Sequence, residues 1–134
     1  MTGRKGMAMG PYLLVAIGGA AGSVLRLAVV RLAQALLGAG FPYGTMAVNL
    51  AGSLVMGVLA ALFAERAGDD PARLFLMTGV LGGFTTFSAF SLDAYGLWAR
   101  GEAGAALLYV LASVVVSILA LVFGFWLARQ VFAS

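Results

Sequence analysis

The sequence predicts an all-α membrane protein of four transmembrane helices, the third of them interrupted, and three observations carry this. Of 134 residues, 63% are hydrophobic and 10% are charged, and mean hydropathy is +1.05. A soluble domain carries about 25% charged residues. The apolar residues also fall into four segments, 11–37, 44–64, 72–98 and 104–131. Each is near the roughly 20 residues that span a bilayer. The connections at 38–43, 65–71 and 99–103 are short. Residues 1–134 therefore read as one four-helix transmembrane domain with no separate soluble part.

Composition also excludes chemistry. With no Cys and no His, thiol catalysis, disulfides and histidine metal sites are ruled out. There is no credible nucleophile or acid/base pair, so an enzyme is not expected. The net charge of +3 sits mainly at segment ends. It reads as topology and contact with the lipid bilayer, not nucleic-acid binding. Arg4, Lys5, Arg66, Arg73 and Arg129 would share one side, facing Arg31 and Arg100, plus Arg26 if it reaches that interface. That bias is modest and permits one orientation or both.

The first segment follows Arg4 and Lys5 but is longer than the roughly 7–15 residues of a signal-peptide core, so it is read as a spanning helix. Gly18, Gly22 and Arg26 recur at i, i+4 and i+8, with Gly19 and Ser23 beside them. Small residues at this spacing allow close helix packing. Arg26 is read as a snorkelling or buried anchor, in preference to a pore charge.

The second segment opens at Pro42, a residue suited to helix starts. Thr45, Asn49 and Ser53 then share one stripe. Such a stripe is either interhelical hydrogen-bonding glue or the lining of a polar path. Between the second and third segments, Glu65, Arg66, Asp69, Asp70 and Arg73 read as a solvated turn.

The third segment contains Gly79 to Ser91, GVLGGFTTFSAFS. Gly weakens a helix by about 1 kcal/mol relative to Ala, and Ser and Thr hydroxyls can satisfy freed backbone groups. An interruption at about Gly82–Thr86 is therefore expected. Irregular backbone at membrane depth persists only where protein or an aqueous cavity covers it, which makes the break a candidate site. Phe87 and Phe90 follow on one face. Asp93 is the carboxylate lying well inside an apolar segment, and its role stays open between an Arg pairing and the interface.

The fourth segment carries Tyr109, Ser113 and Ser117 at i, i+4 and i+8, with Gly124 further down the stripe. Two polar stripes and one break suggest a shared polar path. Its candidate lining of Thr45, Asn49, Phe87, Phe90, Tyr109, Ser113 and Ser117 is neutral. Hydroxyls and an amide donate hydrogen bonds, and aromatic edges are electropositive, so the set favours a small anion. Carbonyls freed at Gly82–Thr85 suit a hard cation such as Na⁺. Four helices make a thin bundle, and covering the break argues for self-association.

Three stretches, GGAAGSVLR (18–26), GTMAVNLAG (44–52) and GGFTTFSAF (82–90), resemble the signature blocks of the CrcB/Fluc fluoride channels. The resemblance spans nearly the whole chain, and helix four matches it more loosely. It implies an antiparallel, dual-topology homodimer with two pores, exporting fluoride passively across the plasma membrane. By the same resemblance Phe87 and Phe90 face fluoride and Asn49 donates its amide, with Thr45 one turn before it. Tyr109, Ser113 and Ser117 form a hydroxyl track. Gly82 and Thr85 offer carbonyls to a structural Na⁺ at the dimer interface, and Arg26 lies near a pore vestibule. Ala89 stands where the family commonly has Thr, and Met46 where it has Leu. Two other readings compete: a dual-topology small-molecule exporter dependent on Asp93, and a non-transporting membrane scaffold.

Overall fold

The computed structural model describes residues 9–66 and 68–132, and every regular element among them is helical. Four helical spans are long and apolar enough to cross a membrane: α1 (Met9–Leu37), α2 (Tyr43–Leu62), α3 (Pro71–Ala99) and α4 (Ala103–Phe132). The long apolar side chains of α1 and α4, among them Leu13, Ile17, Leu107 and Ile118, face outward. The inward core is small and centres on Phe90, Leu97, Ala106 and Tyr109. This inside-out distribution suits a chain whose solvent is hydrocarbon.

The turns follow from glycine. Gly38 and Gly101 adopt φ of 80° and 81° just past the ends of α1 and α3. A residue without Cβ reaches this left-handed region at no steric cost and so closes a helix. Gly101 N–H bonds the Trp98 carbonyl at 2.9 Å and Glu102 N–H bonds the Leu97 carbonyl at 3.0 Å. At the other end of α3, Asp70 caps the first turn by accepting the Arg73 N–H at 3.0 Å. That bond holds the Asp70 carboxyl below the usual carboxylate range, helped by the Arg66 guanidinium at 3.2 Å.

Small residues set the packing. α1 lies against the leading half of α3, and α2 lies against α4. The Gly18/Gly22 stripe faces inward, as expected for close packing. A Cβ at Gly22 would overlap the Val80 carbonyl, and one at Gly83 would overlap the Gly19 carbonyl. Across the other pair, a Cβ at Gly57 would overlap the Leu121 carbonyl. Backbone-to-backbone contact of this kind is how spans associate where lipid removes the hydrophobic drive between them.

α3 is interrupted within the expected Gly82–Thr86 stretch, at its trailing end. Its leading half is one α-turn (Pro71–Arg73), a π-helical stretch (Leu74–Leu81) and a further α-turn (Gly82–Phe84). The chain is extended only at Thr85 (φ −82°, ψ 161°) and Thr86 (φ −154°, ψ 127°), and α-helix resumes over Phe87–Ala99. The Gly82-Gly83 pair is therefore helical. Gly83 serves the approach of α1, while the two β-branched residues, which favour extended backbone, form the break.

Candidate functional site

The break is held by side chains that replace the missing helical bonds. Asn49 of α2 donates its Nδ2–H to the Thr86 carbonyl at 2.9 Å. Its Oδ1 accepts the Thr86 N–H at 2.8 Å. One amide thus serves both backbone groups of an extended residue, at a depth where water does not. The Thr85 hydroxyl and N–H both donate to the Leu81 carbonyl, at 2.9 and 3.0 Å. Thr86 Oγ1 accepts the Ala89 N–H at 3.2 Å and so caps the trailing helix. Ser23 of α1 donates to the Gly83 carbonyl at 3.4 Å, tying α1 to the same spot.

A cavity of ≈ 280 Å³ opens beside the break, lined by Asn49, Thr86, Phe87, Phe90, Ser113 and Ser117 among others. Ser113 and Ser117 on α4 each bury a hydroxyl oxygen that has no hydrogen-bond partner. Leaving a buried polar group unpaired costs about 1–3 kcal/mol. Two such groups on one wall could complete their bonding with a guest acceptor. The 13-residue trailing helix begins at this cavity, so the positive end of its dipole faces it. Hydroxyl donors, aromatic rings and a helix N-terminus together favour a small anion. Among the described residues, no cluster of three or more acidic groups offers a conventional metal cage.

A second polar cavity of ≈ 180 Å³ lies toward the α1–α2 turn and is lined by Thr45, Asp93, Gln34 and Arg100, with others. The Tyr109 hydroxyl donates to Asp93 Oδ2 at 3.3 Å. The Tyr109 ring is wholly buried and stands 5.3 Å from the Phe90 ring, centroid to centroid. Phe41 packs edge-on to its other side at 5.6 Å. Phe90 lines the first cavity, and Tyr109 is bonded to a residue of the second, so this ring pair stands between the two.

The seven expected path residues are therefore divided. Asn49, Phe87, Phe90, Ser113 and Ser117 meet in one cavity, Thr45 lines the other, and Tyr109 is in the partition. In this single chain the Tyr109 hydroxyl is bonded internally. Its proton is directed at Asp93 Oδ2. Asp93 pairs with this hydroxyl and not with an arginine; Arg100 bonds Glu102 and the Gly40 carbonyl instead. The two phenylalanines differ, with Phe90 at 8% exposure and Phe87 at 77%, their rings 5.6 Å apart. Arg26 is half-buried on α1 and lines neither cavity. Gly82 is exposed and Thr85 half-buried beside the first cavity.

Comparison with known proteins agrees with this architecture. The family model described as CrcB-like protein, Camphor Resistance (CrcB), matches residues 13–125. The chain belongs to the CrcB family. Among relatives named fluoride-specific ion channel FluC, that of Paracoccus denitrificans is 56% identical over 122 residues. This covers 91% of the present chain and 97% of the relative. The Chelativorans relative is 54% identical over 120 residues, covering 89% and 96%. That of Hyphomonas neptunium is 53% identical over 128 residues, covering 93% and 100%. With four spanning helices, the chain is a multi-pass membrane protein. The match takes in both cavities and the broken helix.

Proposed function

We propose that this CrcB-family chain is a fluoride-specific channel that lets fluoride leave the cell passively and so relieves its toxicity. The observation that carries this is the pair of buried, unpartnered hydroxyls at Ser113 and Ser117. They share a cavity with the Phe90 ring and the start of the trailing helix. Fluoride is small and strongly hydrated, so shedding water is unfavourable unless several donors replace it. Neutral donors meet that need without a fixed charge that would trap the ion.

The working unit in this proposal is an antiparallel homodimer. Phe87 lines the anion cavity yet is 77% exposed in a single copy, and a second copy would cover it. The interface would also hold a structural Na⁺. The carbonyls on offer fit: Thr85 leaves the helix with ψ 161°. Gly82 keeps helical dihedrals, but its α-helical partner, the Thr86 N–H, is bonded to Asn49 instead. Oxygen ligands of this kind suit a hard cation. When bound, the ion would supply positive charge beside an otherwise neutral path. Gly82 and Thr85 would hold it, and Arg26 would contribute its charge from α1.

The double variant Ser113→Ala with Ser117→Ala tests the role of the cavity. Removing unpaired hydroxyls leaves the apolar packing unchanged, so the protein should purify as the wild type does. Fluoride efflux from liposomes should fall about three- to tenfold, the loss of roughly 1 kcal/mol of ion stabilisation. Wild-type efflux would return the serines to helix packing.

A further inference from the structure

A third cavity, of ≈ 430 Å³, lies away from the ion path, where α2 and α4 both end. Its walls are Ala61, Leu62, Ala128 and Phe132, and its charged groups are Glu65 and Arg129. These two opposite charges line one cleft without pairing. Among the described residues, the ion pairs are Arg66–Asp70 and Arg100–Glu102, and no hydrogen bond reaches the Glu65 or Arg129 side chain. Because both helices end here, their negative dipole ends also favour a cation beside Glu65. The position, at the ends of two spanning helices, is headgroup depth.

We propose that this cleft is a binding site for a zwitterionic phospholipid with a primary amine, that is, a phosphoethanolamine headgroup. Arg129 takes the phosphate through its forked guanidinium. Glu65 and the end of α2 accept the three hydrogen bonds of the ammonium. Leu62 and Phe132 flank the start of the acyl chains. A trimethylated choline headgroup carries the same charges but has no N–H to donate, so it satisfies half of the site. An anionic headgroup without an amine leaves Glu65 facing like charge. The apolar walls select the lipid over the free headgroup.

The purified full chain in detergent tests this through its thermal midpoint. Phosphatidylethanolamine, phosphatidylcholine, phosphatidylglycerol and soluble glycerophosphoethanolamine are added at equal concentration. The ethanolamine lipid should raise the midpoint by about 3–5 °C more than the choline lipid. Glu65→Gln should erase that difference, and Arg129→Gln should weaken the response to both lipids. Both residues are exposed, so the lipid-free midpoints should match the wild type. Equal shifts from the ethanolamine and choline lipids would overturn the proposal, as would the largest shift from phosphatidylglycerol. Persistence of the preference in Glu65→Gln, or an equal response to the soluble headgroup, would overturn it too. The readout does not depend on which ion the protein passes.

Discussion

Asn49→Asp is expected to stop fluoride flux while the protein still folds. The substitution keeps the acceptor for the Thr86 N–H, a bond of 2.8 Å, and loses the donor to the Thr86 carbonyl, a bond of 2.9 Å. It also fixes a negative charge on the wall of the ≈ 280 Å³ cavity. A like charge about 4 Å from the passing anion opposes it by about 4 kcal/mol at an intermediate dielectric. That corresponds to roughly a thousandfold in rate. Asn49→Leu has a different consequence, because both polar groups of an extended residue at membrane depth lose their partner. It should yield little folded protein, in contrast to the folded but silent Asp variant. Size-exclusion profiles and efflux from liposomes separate the two outcomes. A wild-type rate from Asn49→Asp would place the anion elsewhere.

Gly22→Ala should have the largest effect on folding. The added Cβ would overlap the Val80 carbonyl and come within 2.8 Å of the Phe84 amide nitrogen. Both obstacles are backbone, so no side chain can rotate away. Overpacking typically costs about 1–3 kcal/mol and more where relief is blocked; here about 3 kcal/mol or more is expected. Gly10→Ala, with nothing near its added Cβ, is the matched control and should be silent. Yield and thermal midpoint in detergent decide the matter. A Gly22→Ala protein as stable as the control would mean that α1 does not pack this closely on α3.

These two residues also show what the sequence makes legible. Hydropathy located the four spans because each must bury its own backbone bonds in hydrocarbon. The i, i+4 spacing of Gly18 and Gly22 identified a packing face, and the Ser113/Ser117 stripe pointed to the cavity. The form of the break was less readable. Gly82-Gly83 looks like a helix breaker by propensity, but a helix-breaking tendency is weak beside the demand that every buried backbone group be bonded. Thr85-Thr86 carries the break because Asn49, 37 positions away in sequence, supplies the missing partners. The π-helical stretch at Leu74–Leu81, against which α1 packs, has no local signature. The Asp93–Tyr109 bond joins two helices across a turn. Sequence spacing within one helix does not reveal such a pair, although a lone intramembrane carboxylate signals that a partner exists.

The most direct measurement of the central claim is ion efflux from liposomes holding the purified protein, with fluoride and chloride followed by separate electrodes. Rapid fluoride release with little chloride release is the expected result. Release of both ions at similar rates would contradict fluoride selectivity, and no release from well-folded protein would contradict the channel itself.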